Sequence, residues 1–297
     1  MDEDAVWIQR LRRDLPHHAA IIDGLAQAVS ADVRWRFLSV SCSLGRGNAD
    51  RFSDIDAGIG FDGPIDAGDL ERDAVRLAES AGDLLDALVH HWPGLADDER
   101  RIAAEYRSGV QLDLVFHAAS RRTGRLPDEE YAVVDKDGRL DDVPRARLAA
   151  RAALVPGRCR EWNFLGWWAV SDTAKYLRRG SLFEAATRLE TIREHALRLF
   201  AAAQGIRFPD YGLTSLLDYP PGKLPVGLAA TYARPDDRAA LAQAALAAAD
   251  LLERCAARAA SALGIDLDTP MASAVRQRLA DAVASINDRC QTPRRPS

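Results

Sequence analysis

The sequence predicts an α/β (α+β) domain over residues 1–145 followed by an all-α helical bundle domain over residues 146–297. Up to about residue 145, helical apolar spacing alternates with short period-two runs; beyond it the chain is almost pure helix, alanine-rich and poor in β-branched runs. Length agrees, since 297 residues suit two domains better than one.

Taken in order, PHHAAIIDGLAQAVSAD places apolar residues at helical spacing from Ala19 to Val29, and VRWRFLSV then alternates Arg34 and Arg36 with Val33, Trp35 and Phe37. The spacing predicts helix, then strand. SDIDAGIGF reads as a second strand and DLERDAVRLAESAGDLLDALV as one amphipathic helix. RRIAAEYRSG reads as a third strand and VQLDLVF as a short one, with Leu112, Leu114 and Phe116 on one face and Asp113 on the other. In the second domain, helices are expected over about 159–178, 181–203, 237–262 and 270–289, with DYPPGKLPVG interrupting the middle pair. The tail QTPRRPS reads as frayed.

Composition excludes several classes. Hydrophobic residues at 47% and charged residues at 28% argue against disorder, and no apolar run approaches the roughly 20 residues of a membrane span. The acidic start MDEDAVWIQRLRRDLP lacks the features of a secretory signal, so the expected location is the cytoplasm. Cys42, Cys159, Cys255 and Cys290 are scattered without metal-binding spacing and read as reduced thiols. A net charge of -5 gives no global attraction to nucleic acid.

One stretch carries chemistry: SCSLGRGNADRFSDIDAGIGF, residues 41–61. In a strand, Asp54 and Asp56 would project from one face, an arrangement that repels itself unless a cation sits between the carboxylates. Magnesium suits such a pair, because it takes one or two protein carboxylates and completes its shell with water and phosphate oxygens. Ahead of the pair, Gly45 and Gly47 would let backbone approach a ligand closely, and Ser43 and Ser53 would add hydroxyls, together making a triphosphate cradle. Arg46 reads either as part of that cradle or as surface charge. An isolated Asp-x-Asp is also a common solvated strand edge, so the pattern gains its meaning from the loop before it.

With Ser43, Gly47, Ser53, Asp54 and Asp56 in that order, the stretch resembles the nucleotidyltransferase superfamily related to DNA polymerase β. Cys42 stands where that family usually has its first glycine. The resemblance implies a short mixed sheet and a third carboxylate from a later strand, a place that Asp113 suits. It also implies two magnesium ions and a nucleoside triphosphate, with ATP expected.

EWNFLGWWAVSDTAKYLRRGSLFEAATRLETIREHALRLF resembles the helical domain of lincosamide and aminoglycoside nucleotidyltransferases, with Lys175, Arg179, Gly180, Glu184 and Ala185 in matching places. The resemblance implies Lys175 reaching the triphosphate across an interdomain cleft and Glu184 facing the acceptor or acting as base. The residues themselves also read more plainly: Gly180 and Ser181 as helix caps, Trp162, Trp167 and Trp168 as core, Lys175 and Glu184 as a wet helix face. Arg188 and His195 have the Arg-x6-His spacing of HEPN ribonucleases, for which chance is the better explanation in so arginine-rich a chain.

The expectation is therefore transfer of AMP from ATP to a hydroxyl of a small molecule, such as an aminoglycoside or lincosamide antibiotic, releasing pyrophosphate. Asp54 and Asp56 would hold metal, and Asp113 would complete the metal site or take the acceptor proton. The rival readings are transfer to a protein or an RNA end, a glycosyltransferase, and a silent nucleotide-binding module. The expected partners are the triphosphate and a small acceptor, with no nucleic acid and no membrane; the alanine-rich final helices would suit an oligomer as well as their own bundle.

Overall fold

The computed structural model describes residues 3–63, 66–90, 99–122, 124–126, 129–140, 155–219 and 223–291. The chain divides into two compact units, Met1–Leu148 and Ala149–Ser297. The boundary expected at 145, most of the QTPRRPS tail, and Pro220 to Gly222 of the interrupted connection lie outside the described residues, as does the side chain of Cys290.

The first unit begins with helices α1 (Glu3–Asp14) and α2 (Pro16–Ala31), where Pro16 is at the helix start and costs no hydrogen bond. Strand β1 (Trp35–Val40) leads into a single helical turn, α3 (Cys42–Gly45), and a loop to β2 (Ile55–Phe61). Helix α4 (Ala67–Ala81) starts on Asp66, whose side chain accepts from the Gly68 amide. Strands β3 (Leu84–His90), β4 (Arg100–Tyr106), β5 (Gln111–Ala118) and β6 (Tyr131–Asp135) complete the unit. The six strands form one mixed sheet in the order β3-β4-β5-β2-β1-β6, with β2 and β5 parallel and every other pair antiparallel.

DLERDAVRLAESAGDLLDALV is not a single helix: α4 stops at Ala81, and Leu84 to His90 pair with β4 as the edge strand β3. Leu77, Ala81, Leu84, Leu85 and Leu88 keep helical spacing across Gly82, but the ladder to β4 overrides that periodicity. Helix α1 and strand β6 were not anticipated.

The core lies on one face of the sheet under α2 and α4, where Ile22, Leu25, Leu38, Ile55, Ile59, Ile102, Leu112, Leu114 and Phe116 are buried. Alternation along β2 and β5 therefore sends Asp56 and Asp113 to the other face.

Among the described residues the second unit has helices and no strands: α5 (Val155–Arg179), α6 (Leu182–Ala203), the short α7 (Leu213–Asp218), α8 (Arg238–Leu263) and α9 (Pro270–Gln291), joined in part by 3-10 turns. Asp237 caps α8 by accepting from the Ala240 amide. The alanines of α8 let α5 and α6 approach it closely around Leu189, Ile192, Leu241 and Leu252. Trp162 and Trp167 are core residues as expected, whereas Trp168 is exposed beside Phe164. Among the described residues no helix is long and apolar enough to cross a membrane.

Candidate active site

The parallel register of β2 and β5 sets Asp56 directly beside Asp113, so two acidic residues 57 positions apart in sequence occupy neighbouring places on the open face. Asp54 stands one residue before β2, close enough for its charge to act on Asp56. The Asp56 carboxyl is held above its ordinary value, by desolvation first and by Asp54 second. A hydrogen bond from the Cys42 thiol and the positive charges of Arg101 and Arg46 oppose that shift.

The loop between β1 and β2 is clamped on several sides. Trp7 stacks on Tyr131 at 3.9 Å and donates its indole N–H to the Leu44 carbonyl at 3.1 Å. A Cβ on Gly45 would meet the Glu129 carbonyl oxygen at 2.2 Å, so Gly45 permits close packing of the loop against neighbouring backbone. Arg46 is tied to Glu129 at 3.3 Å, both side chains largely buried. Gly47 differs from Gly45: it takes φ 71° with open space where a Cβ would sit, so the left-handed turn and not close packing calls for glycine there. The Ser43 carbonyl accepts from the Asn48 and Ala49 amides. Ser53 completes the turn through its hydroxyl, which accepts from the Asp50 amide at 3.0 Å, and through its carbonyl, 2.8 Å from His18 Nε2.

Cys42 takes φ 55°, the left-handed region that favours glycine, and this is the position at which the resembling family carries glycine. The residue is exposed, yet its thiol is pushed up to about 12 by desolvation and by the Asp56 charge, so it stays protonated and donates to Asp56. Substitution Cys42→Gly should relieve about 1 kcal/mol of backbone strain, partly offset by added unfolded-state entropy. The expected result is a small upward shift in the urea midpoint; a lowered midpoint would show that the thiol bond outweighs the strain.

Asp113 meets a partner that sequence reasoning missed. Arg101, on β4, pairs through its guanidinium with the Asp113 carboxylate. The antiparallel register explains it: Ala103 lies opposite Asp113, and Arg101 is the next residue along that face. No motif marks Arg101; only the period-two reading of RRIAAEY, combined with the strand order, would have found it. An open cavity of about 430 Å³ adjoins the pair, lined by Asp54, Asp86, His90, Arg101, Glu105 and Asp113 among others.

These groups fit a hard cation in part. Asp54 and Asp56 offer oxygen donors whose mutual repulsion a divalent ion would relieve. Among the described residues no three His, Cys, Asp or Glu side chains are grouped as a metal site, so Asp54, Asp56 and Asp113 are not drawn together as a three-ligand set. The carboxylate of Asp113 is committed to Arg101.

Lys175 and Glu184 belong to the second unit. Lys175 pairs with Asp172 at 2.6 Å and is held above its ordinary value by that bond. Glu184 is exposed in the first turn of α6. Gly180 ends α5 with φ 76°, and Ser181 starts α6 without a side-chain cap bond. His195 is buried, while Arg188 faces Asp172 at 3.9 Å, so the Arg-x6-His spacing makes no open catalytic pair.

The comparison with solved structures finds an adenyltransferase. The chain is similar to an aminoglycoside 6-adenyltransferase from Bacillus subtilis, with 15% identity over 88% of this chain and 97% of that one, at a TM-score of 0.36. No protein-family model and no curated protein matches the chain.

Proposed function

We propose that the first unit is a metal-dependent nucleotidyltransferase, moving AMP from ATP to a hydroxyl of a small molecule and releasing pyrophosphate. The observation that carries this reading is the placement of Asp56 beside Asp113 by the parallel β2–β5 register, directly after a glycine loop clamped in place. A solvated strand edge needs none of that scaffolding.

In this reading Asp54 and Asp56 would hold magnesium, which when bound would neutralise phosphate charge and polarise the reacting phosphoryl group. The chain's own residues then act as follows. The open backbone at Gly47 lets the triphosphate approach the loop, and Ser43 and Ser53 flank it. Asp113 orients the acceptor hydroxyl and takes its proton once Arg101 turns from the carboxylate toward the incoming phosphates; the guanidinium neutralises charge in both positions. The acceptor occupies the cavity against β3 and β4, where Asp86 and Glu105 offer hydrogen-bond acceptors.

The test uses ATP labelled at the α-phosphate, magnesium and a panel of hydroxyl-bearing antibiotics and metabolites. Label appearing on a small acceptor with stoichiometric pyrophosphate is the expected result. Label on protein or RNA would move the assignment to a macromolecular acceptor, and nucleotide binding without turnover across the panel would overturn it.

A further inference from the structure

The helical unit holds a second cavity, of about 350 Å³, between the end of α6, the Lys223–Val226 segment and the middle of α8. Its size lies at the low end of small-molecule pockets, roughly 300–1,000 Å³. The floor is apolar, made by Phe200, Leu251 and Cys255. Cys255 is 2% exposed, and its thiol, desolvated, remains neutral.

The rim is of one sign. Lys223, Arg254 and Arg258 line the opening, and among the described residues no carboxylate does and none of the three has an acidic partner. In a chain of net charge -5, three uncompensated cations around an apolar floor are an unusual local concentration of positive charge. The guanidiniums are held in place. Arg254 donates to the Val226 carbonyl at 3.2 Å, and Arg258 sets its guanidinium carbon 5.0 Å from the centre of the Phe200 ring, in cation–π reach. Gly227 makes the first arrangement possible: it takes φ 90°, and a Cβ there would meet Arg254 Nη2 at 2.9 Å.

We infer that this cavity binds a small amphipathic anion, an apolar chain or ring inserted against Phe200, Leu251 and Cys255 with a carboxylate or phosphate head received by Arg254, Arg258 and Lys223. The planar N–H edges of the two arginines suit either head, since both present paired oxygens, and the lysine adds a third donor. Burial of the apolar part supplies affinity, and the like-charged rim supplies selection of charge. Every contributing residue lies in the second unit, and none has a role in the nucleotidyl transfer proposed for the first.

The test is calorimetric titration of the full-length protein with octanoate, octyl phosphate, inorganic phosphate, octanol and octylammonium. The expected result is binding of octanoate or octyl phosphate at least tenfold tighter than octanol or octylammonium, with the stronger of the two identifying the head group. Inorganic phosphate should bind at least tenfold more weakly than octyl phosphate, because it lacks the buried part. The Arg254→Gln/Arg258→Gln double variant should lose at least tenfold in affinity with unchanged circular dichroism. Should that variant fail to fold, Lys223→Gln, on the rim segment, should still weaken the anion severalfold without weakening octanol. Equal binding of octanoate and octylammonium, wild-type affinity in folded variants, or no anion binding at millimolar concentration would each overturn the proposal.

Discussion

Replacing Asp56 by asparagine is expected to abolish nucleotidyl transfer while making the metal-free protein more stable at neutral pH. Asp56 is half-buried, and its carboxyl is raised above the ordinary 3.8 by desolvation and by Asp54. An acid whose folded value is raised binds more protons folded than unfolded between the two values, so stability is lost as pH rises through that window. Above that window the whole cost is present, and asparagine removes it. Activity should fall by at least about 10²-fold, the scale for removing one preorganised electrostatic group. Asp113→Asn should lose activity on the same scale but lower stability by about 1 kcal/mol, because Arg101 is left facing an amide in a half-buried position. Opposite shifts in melting temperature with a shared loss of label transfer are thus the signature. Either variant keeping more than about a tenth of wild-type turnover would remove that aspartate from the reaction.

The largest pH effect on stability should come from His117. Its ring follows Asp113 along the open face of β5, near Phe37 at 5.3 Å, and its Nε2 is buried without a hydrogen-bond partner. Desolvation, aided by the positive charges of Arg122 and Arg121, pushes it down to about 4. The unfolded chain takes up this proton near pH 6.5 and the folded chain only near 4, so the unfolded state binds more protons between those values. Stability is therefore full above pH 6.5 and declines as pH falls toward 4, by on the order of 2–3 kcal/mol. Denaturant titrations of the wild type and His117→Gln at pH 7.5 and 4.5 should show a smaller acid loss in the variant. Equal losses would place the acid sensitivity elsewhere, with buried His195, also lowered by desolvation, as the next residue to replace.

How far the site was legible depends on what kind of signal each residue leaves. Asp54, Asp56 and the glycines are local in sequence, so spacing alone marked them. Asp113 was recognisable from the alternation in VQLDLVF, which forces it opposite Leu112 and Leu114. Arg101 was not, because it gains meaning only when β4 is laid antiparallel against β5. Gly45 and Gly47 look alike in the sequence, yet one is crowded by the Glu129 backbone and the other faces open space. The misread stretch after Gly82 has the same origin: a pattern compatible with helix was decided by pairing partners 11 to 22 residues away, from His90 with Arg101 to Leu84 with Tyr106.

Local patterns along the chain suffice for the division into a mixed α/β part and a helical part, the acidic pair with its glycine loop, and the places of the four long helices of the second unit. These follow from periodicity, capping and turn chemistry, all of which act over a few residues. Long-range pairing and packing settle that β2 and β5 run parallel and in register, that Arg101 holds Asp113, that Cys42 takes a backbone conformation suited to glycine, and that Lys223 joins Arg254 and Arg258 of α8 around one apolar cavity. The physical reason is range: strand order, register and cavity walls are set by contacts between residues distant in the chain, which no local pattern records.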